Sequence, residues 1–166
     1  GPLSGSFVVF DTETTGLNPQ TETLTEIGAV LVENGQITEQ FGTFVNPGKP
    51  IPEKIVELTG INDSMVADAP DPDEAMRLFK EFAGDRVLVA HNAHGFDMRF
   101  MQLAAQHAGI ELDNPYIDSL PMARALYPGL SNYKLDTVNK YLEIPPFNHH
   151  RAVDDAQALA RIFCKM

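Results

Sequence analysis

The sequence is poor in cysteine, in basic residues and in long hydrophobic runs, and each shortage excludes a class of protein. Its single cysteine, Cys164, cannot form an internal disulfide and has no cysteine neighbours with which to bind zinc, as is typical of a reducing cytoplasm. The longest apolar runs, such as FVVF and VLVA, have the length of a β-strand and are far too short to span a bilayer. We therefore expect a cytoplasmic protein that does not enter membranes.

The shortage of basic residues limits how the chain could bind nucleic acids. It has 12 lysines and arginines against 23 aspartates and glutamates, which gives a formal net charge of -11 at pH 7. Proteins that hold long stretches of nucleic acid without sequence preference are usually basic. We therefore expect this chain either to avoid nucleic acids or to engage only a short end of one, through metal ions that reverse the local charge. In the second case, a larger partner or a neighbouring domain would supply the grip on a duplex.

The length of 166 residues suits one domain with a sizeable core. No internal repeat, low-complexity tract or linker divides the sequence. The opening residues Gly1-Pro2-Leu3-Ser4 look like the remnant of an expression tag, so we assign residues 1–5 to that remnant and residues 6–166 to a single domain.

Hydrophobic patterns predict an α/β fold. Apolar or alternating runs predict strands at 7–11, 26–33, 36–45, 87–90 and 116–118. Asn34-Gly35 is the strongest short signal for a hairpin, so the first three strands should form a meander. Helical periods predict helices at 73–83, 96–108, 120–126, 135–142 and 151–165, after a short helix that carries IVELTG. Strands that come first, followed by alternating units, are typical of an α/β domain.

Asp11 and Glu13, in the segment FVVFDTETTG, are the first candidate site residues. Residues two apart on an extended chain share a face, so both carboxylates can point into one site. In the turn that follows, Gly16 permits backbone amides to approach a phosphate or a sugar hydroxyl closely. An Asp-x-Glu pair alone could be a solvated strand end. The apolar strand before the pair and the Thr-Thr-Gly turn after it favour the functional interpretation.

Asp97 is the second candidate. It follows a predicted buried strand and the polar turn HNAHG and starts a helix, so it could cap that helix, bind a metal ion or do both. The neighbouring Phe96 could be a core residue or could stack on a base at the mouth of a site. His91 and His94 could ligate a metal ion. Sites for Mg²⁺ or Mn²⁺ are built from oxygen ligands, however, so we interpret both histidines as structural or as outer neighbours of the site.

His150 and Asp155, in HHRAVDDAQALARIF, form the third candidate element. A helix that begins near Arg151 places Asp155 in its early turns and His150 on the approach to it. Asp155 could then hold a metal ion while the imidazole, which titrates near neutrality, takes a proton from water as a general base. Helical geometry turns the adjacent Asp154 about 100° away, into solvent or a salt bridge. Without the other acids, His150 would be interpreted as a histidine of a surface loop.

Taken together, four carboxylates and one histidine come from the beginning, middle and end of one domain. This is the set that a two-metal site for phosphodiester cleavage requires. The sequence therefore predicts an enzyme, and specifically a nuclease.

The segments around Asp11, Asp97 and Asp155, in the order in which they occur along the chain, resemble the three motifs of the DnaQ-like 3′–5′ exonucleases of the DEDDh group. That group is named for four acids and a histidine. The corresponding residues are Asp11, Glu13, Asp97, Asp155 and His150. The stretches IVELTGIND and HHRAVDDAQALA look most like the proofreading exonuclease domain of PolC-type bacterial DNA polymerase III, where that domain is inserted in a longer chain. The family usually has HNAxFD where this chain has HNAHGFD, one residue longer. A loop at Gly95 would keep Asp97 in place as a ligand.

The resemblance implies a ribonuclease-H-like fold, with a mixed five-stranded sheet, an antiparallel second strand and helices on both faces. It also implies two divalent ions, Mg²⁺ or Mn²⁺, held by the four acids, with His150 as the base. The implied substrate is a single-stranded or frayed 3′ end of DNA, and the implied partners are polymerase domains of the same parent chain or the replisome. The candidate substrate-binding residues are Thr14, Thr15, Gly16, Leu17, Phe96, His91 and Asn92.

Other functions stay open at this level. A separate exoribonuclease or oligonucleotide-degrading enzyme would use the same acids, because the sequence does not show whether a 2′-hydroxyl is tolerated. A non-catalytic docking module could keep the fold, although the presence of all four acids and the histidine argues against it. A small-molecule phosphoesterase could use the acids, although the segments around them argue against that function.

Overall fold

A computed structural model describes residues 5–145 and 151–166. Residues 1–4 and 146–150, which include most of the predicted tag remnant and His150, lie outside this range. The assignment of residues 1–5 to a tag therefore stays a prediction.

The described residues form one five-stranded sheet. Its strands are β1 (Ser6–Thr14), β2 (Leu24–Glu33), β3 (Gln36–Phe44), β4 (Val87–Ala90) and β5 (Tyr116–Asp118). The spatial order is β3-β2-β1-β4-β5, in which β2 is antiparallel to both of its neighbours and β1, β4 and β5 are parallel. This confirms the mixed sheet with an antiparallel second strand.

The predicted hairpin lies between β2 and β3. Asn34 and Gly35 both have positive φ angles, of 51° and 79°. Two successive residues of this kind form the tight turn whose twist matches that of the two flanking strands. The first three strands therefore form the predicted meander.

Seven α-helices are present among the described residues. They are α1 (Glu53–Thr59), α2 (Asp63–Val66), α3 (Pro72–Ala83), α4 (Met98–Ala108), α5 (Ser119–Leu126), α6 (Leu135–Tyr141) and α7 (Ala152–Lys165). Helix α2 was not predicted because one helical turn carries no periodic signal, although Asn62 caps it by accepting a hydrogen bond from the Met65 amide. None of the helices in residues 5–145 and 151–166 combines the length and hydrophobicity needed to cross a bilayer.

Helices cover both faces of the sheet, and β1 contributes to the core on each side. Val8 and Phe10 belong to the cluster that contains residues of α3 and α4, whereas Phe7 and Val9 belong to the cluster that contains residues of α7. The rings of Phe7 and Phe163, on α7, meet edge to face at 5.4 Å. Because side chains alternate along a strand, the face that carries Phe7 and Val9 continues toward the acidic end of β1.

Candidate active site

The carboxylates of Asp11, Glu13 and Asp155 form an acidic cluster at the end of β1. One oxygen from each residue can be chosen so that all of them lie within 4.8 Å of one another, and all three residues are partly exposed. Because β1 runs to Thr14, Asp11 and Glu13 lie two apart on the same strand and share the face that is covered by α7. Asp155 reaches them from the first turns of α7.

Gly28 explains how α7 can come so close to the sheet. It lies on β2 directly opposite Asp11. A Cβ atom at this position would lie 2.1 Å from the Val153 amide nitrogen and 2.3 Å from the Ala152 carbonyl carbon, and both are backbone atoms. Only glycine therefore leaves room for the start of the helix at this level of the sheet.

The acids of the cluster perturb one another. Burial raises the pKa of Asp11 well above its usual value, and repulsion from Asp97, Asp155 and Glu13 raises it further. Burial is also the largest cause that raises the pKa of Glu13 to about 7, followed by repulsion from Asp155. Without a cation, the cluster would therefore tend to hold protons at neutral pH.

Asp97 lies near this cluster but is not part of its tight group. It is 4% exposed, and it accepts a short hydrogen bond from the Thr12 hydroxyl. Burial raises the pKa of Asp97 to about 7, and the bond from Thr12 opposes that rise. Asp97 is close enough to raise the pKa of Asp11 by repulsion. This position would suit a residue that supports metal ligands, directly or through a water molecule.

The additional residue in the turn before Asp97 lies in a π-helical turn, and not in a loop at Gly95 as predicted. Residues Ala93–Asp97 form a single π-helical turn that leads into α4. A π turn accommodates one additional residue in a helix, and such turns are frequent at functional sites. Gly95 lies directly against Asn92, where a Cβ atom would be 2.7 Å from the Asn92 Oδ1 atom. Because the π-helical turn takes up the additional residue, α4 begins directly after Asp97, and the Asp97 side chain is buried.

Asp118, at the end of β5, fixes this turn from the neighbouring strand. Its carboxylate accepts hydrogen bonds from the backbone amides of Asn92 at 2.9 Å, His94 at 3.0 Å and Leu120 at 3.0 Å. The carboxylate thus joins the turn to the start of α5. A sharp turn with Asn92 at a φ of 68° is thereby held at the edge of the sheet.

The two histidines of the turn contact protein atoms. His91 forms hydrogen bonds through Nδ1 to the Ser119 hydroxyl at 2.8 Å and through Nε2 to the Tyr133 carbonyl. Burial is the main cause that lowers the pKa of His91. His94 contacts the Tyr116 hydroxyl through Nδ1 at 2.7 Å. These contacts give both rings a structural role, and the substrate contacts proposed for His91 and Asn92 stay predictions.

The candidate substrate-binding loop follows β1. The hydroxyl of Thr14 donates to the Gly16 carbonyl at 2.6 Å, and that of Thr15 donates to Glu22 at 2.9 Å, so both hydroxyls stabilise the loop itself. Leu17, in the same loop, is 82% exposed and presents an apolar side chain to solvent. Phe96, the other candidate for a substrate contact, is half-buried, and its ring centre lies 4.9 Å from that of Phe100.

The third predicted element is described only in part. His150 lies outside the described residues, so its role as the base stays a prediction. Asp154, which we predict to face solvent or a salt bridge, is partly exposed, and its carboxylate accepts a hydrogen bond from the Arg151 amide at 2.9 Å. It therefore caps the start of α7, where backbone amides have no partner within the helix.

The structure identifies residues that we did not single out from the sequence. Glu26 and Gly28 lie on the α7 face of β2, opposite Glu13 and Asp11, and Thr12 lies on the other face of β1 beside Asp97. A glutamate and a glycine within an otherwise apolar strand were visible signals in EIGAVLVE. Their partners could not be identified without the strand register and the position of α7.

The donor set of the acidic cluster fits a hard divalent cation. Carboxylate oxygens are the ligands that such ions prefer, and the partial exposure of all three residues leaves an approach open. A bound cation would also relieve the repulsion that raises the pKa values of Asp11 and Glu13. The residues present are therefore compatible with metal binding.

Comparison with known proteins agrees with this interpretation. The family model RNase_T, described as an exonuclease, matches residues 8–163. The DNA polymerase III PolC-type of Caldanaerobacter subterraneus subsp. tengcongensis is 50% identical over 164 residues, which are 99% of this chain and 12% of that protein. The chain spans only 11–12% of the length of the first curated relatives that it matches.

Solved structures extend the comparison to the fold. Exonuclease X, in a complex with 5′-overhanging duplex DNA, superposes with a TM-score of 0.79 and 29% identity, over 96% of this chain and 89% of that chain. Escherichia coli exonuclease I, in a complex with a dT13 oligonucleotide, gives a TM-score of 0.85 over 98% of this chain and 41% of that chain. Its identity of 17% supports the ribonuclease-H-like fold alone. The family match and the similarity to PolC-type proteins show that this chain belongs to the RNase_T family of exonucleases, as a homologue of one segment of bacterial PolC-type DNA polymerase III.

Proposed function

We propose that this chain is a metal-dependent 3′–5′ exonuclease that removes 3′-terminal nucleotides as nucleoside 5′-monophosphates and proofreads mismatched DNA ends during replication. The observation that carries the proposal is the cluster of Asp11, Glu13 and Asp155, which offers oxygen ligands within a chain of an exonuclease family. The similarity to exonuclease X, which was solved with duplex DNA, supports DNA as the substrate class.

In this mechanism, Asp11, Glu13 and Asp155 would hold two divalent ions, Mg²⁺ or Mn²⁺, and Asp97 would help to hold them directly or through water. When bound, the ions supply an activated water and stabilise the leaving 3′-oxygen. His150 accepts the proton that the water loses, because an imidazole titrates close to neutral pH. The water oxygen bonds to the terminal phosphorus and the bond from phosphorus to the 3′-oxygen breaks. The freed 3′-oxygen of the shortened strand takes a proton from solvent, and a nucleoside 5′-monophosphate leaves.

The substrate would enter as a single strand. We assign Thr14, Thr15, Gly16 and the exposed Leu17 to the floor under the terminal nucleotide, and Phe96 to contact with its neighbour. A base must leave its stack to reach such a site, and a mismatched base does so at a lower energetic cost. Selection of mismatched ends would follow from this difference.

The proposed setting is a bacterial replicative polymerase. The chain matches a small segment of PolC-type proteins, and its net charge of -11 suits a domain that relies on other regions to hold the duplex. We therefore propose that polymerase domains of a parent chain, or other replisome proteins, deliver the 3′ end to this site. The corresponding location is the bacterial cytoplasm.

A time course of strand shortening tests this proposal. The substrates are a 3′-mismatched DNA primer–template, its fully paired control and single-stranded RNA, each with Mg²⁺, Mn²⁺ or EDTA. Wild-type protein is compared with Asp11→Ala and His150→Ala. Asp68→Ala and His107→Ala, which change exposed residues, are the matched controls.

We expect metal-dependent shortening from the 3′ end, faster on the mismatched primer and lost in Asp11→Ala and His150→Ala but not in the two controls. A preference for RNA would keep the mechanism and refute the proofreading role. No cleavage of any substrate with either metal ion would refute the enzymatic function and favour a docking module of the same fold.

A further inference from the structure

We propose that Glu26 is a positioning residue of the active site, which binds the start of α7 and thereby sets the position of Asp155 relative to Asp11 and Glu13. The inference rests on the proposed metal site. It adds a residue that would bind neither the metal ions nor the substrate.

The contact itself is buried and direct. Glu26 is 5% exposed, and its Oε1 atom accepts a hydrogen bond from the backbone amide of Ala152, the first residue of α7, at 3.0 Å. Its Oε2 atom lies 3.8 Å from the Arg151 guanidinium. That guanidinium lies 4.8 Å from the ring centre of Phe44, the last residue of β3. The start of α7 is thus attached to β2 and β3 by one small cluster.

The register of the sheet brings this contact close to the metal ligands. Glu26 lies directly opposite Glu13 on the neighbouring strand. Ala152 and Asp155 are three residues apart in α7 and therefore lie on the same side of the helix, one turn from each other. The residue that Glu26 holds is thus one helical turn from the residue that would bind metal. Metal–ligand distances tolerate deviations of only about 0.2 Å, so a small displacement of this turn would change the site.

The charge of Glu26 argues for a specific role. A fourth carboxylate beside Asp11, Glu13 and Asp155 adds repulsion, and Glu26 is one of the groups that raise the pKa of Glu13. Burial is the largest cause that raises the pKa of Glu26, and the Ala152 amide at the positive end of the α7 dipole and the Arg151 guanidinium offset part of this cost. The hydrogen bond to Ala152 is the contact that accounts for an acid at this buried position.

Binding of Mn²⁺ to the 166-residue chain, measured by isothermal titration calorimetry, tests the inference. The variants are Glu26→Ala, which removes the acceptor; Glu26→Asp, which keeps the charge but shortens the reach; and Glu26→Gln, which keeps an oxygen at the same length. Glu39→Ala, an exposed residue of β3, is the matched control. Circular dichroism establishes that each variant is folded. A smaller folded fraction would lower the measured number of sites rather than the affinity of each site.

We expect Glu26→Ala and Glu26→Asp to bind Mn²⁺ at least about tenfold more weakly, and Glu26→Gln to stay within about threefold of wild type. On a single-stranded DNA oligonucleotide, kcat should fall in Glu26→Ala and Glu26→Asp while KM is unchanged, because the proposed nucleotide contacts are not on α7. A folded Glu26→Ala with wild-type affinity for Mn²⁺ would overturn the inference. Glu26→Gln should keep the hydrogen bond to Ala152, because its amide oxygen can accept it. The inference would therefore also be overturned if Glu26→Gln bound Mn²⁺ as weakly as Glu26→Ala does.

If Glu26→Ala does not fold, the comparison of Glu26→Asp with Glu26→Gln decides by the same criteria. A wild-type chain that does not bind Mn²⁺ would overturn the proposed metal site and this inference with it. Mn²⁺ binding that is equal in wild type and all variants would overturn the inference alone.

Discussion

Neutralising Glu13 should stabilise the metal-free chain at neutral and alkaline pH while abolishing its proposed activity. Burial and the neighbouring acids raise the pKa of Glu13 from 4.5 to about 7 in the folded chain. Each unit of pKa difference between the folded and the unfolded chain is worth about 1.4 kcal/mol, so this shift corresponds to about 3 kcal/mol of stability. That stability is present at low pH and is lost as the pH rises. The loss takes place between about pH 4.5, where the unfolded side chain ionises, and about pH 7, where the folded one does.

Glu13→Gln has nearly the same shape and cannot ionise, so it should not lose this contribution. Urea unfolding in EDTA, followed by circular dichroism, should give equal stabilities for the variant and wild type near pH 4. At pH 8.5 the variant should be more stable by about 3 kcal/mol. Saturating Mn²⁺ should reverse the order, because the ion stabilises only the protein that binds it.

The exposed residue Glu39 provides the control, and Glu39→Gln should show no comparable change with pH. A stability difference between Glu13→Gln and wild type that is the same at pH 5 and pH 8.5 in EDTA would refute the reasoning. It would mean that the charge of Glu13 is not destabilising in the folded chain.

Three further predictions concern residues of β1 and β2 near the acids. Gly28→Ala should lower the free energy of unfolding in urea by about 2 kcal/mol or more, because the added methyl group would overlap the backbone of α7. Gly42→Ala is the control, since its methyl group would only make an ordinary 4.0 Å contact; similar losses in both variants would contradict this explanation. Thr12→Val should cost about 1–2 kcal/mol and weaken Mn²⁺ binding at pH 7 more than at pH 8.5, because it removes the hydrogen bond that lowers the pKa of Asp97. Thr25→Val should leave the free energy of unfolding unchanged or raise it, because the buried Thr25 hydroxyl has no hydrogen-bond partner among the residues that the structure describes. Thermal unfolding of Thr12→Val and Thr25→Val, followed by calorimetry, compares the two stabilities.

Short-range patterns in the sequence were sufficient for the first three strands and for the first acid pair, whereas the strand order of the whole sheet was implied by the family resemblance. The Asn34-Gly35 turn and the apolar runs identify the meander, since both signals act between neighbouring residues. Alternation along β1 likewise places Asp11 and Glu13 on one face before any partner strand is known.

Other features depend on contacts between distant segments and were missed. The π-helical turn at Ala93–Asp97 keeps Asp97 at the site, and no residue pattern in HNAHGFD distinguishes such a turn from a loop. The roles of Gly28 and Glu26 follow from the packing of α7 against β2. That packing joins segments far apart in the chain, so propensity and periodicity carry no information about it.

The acidic cluster joins β1, the first strand, to α7, the last helix. During synthesis β1 leaves the ribosome long before α7, and the central position of β1 requires β2 and β4 on its two sides. The intermediate chain can therefore carry Asp11 and Glu13 in a nearly complete sheet while the third carboxylate has not yet been made. Hydrolytic competence should thus appear only at the step when α7 docks on the sheet, and not when the strand that carries Asp11 and Glu13 folds.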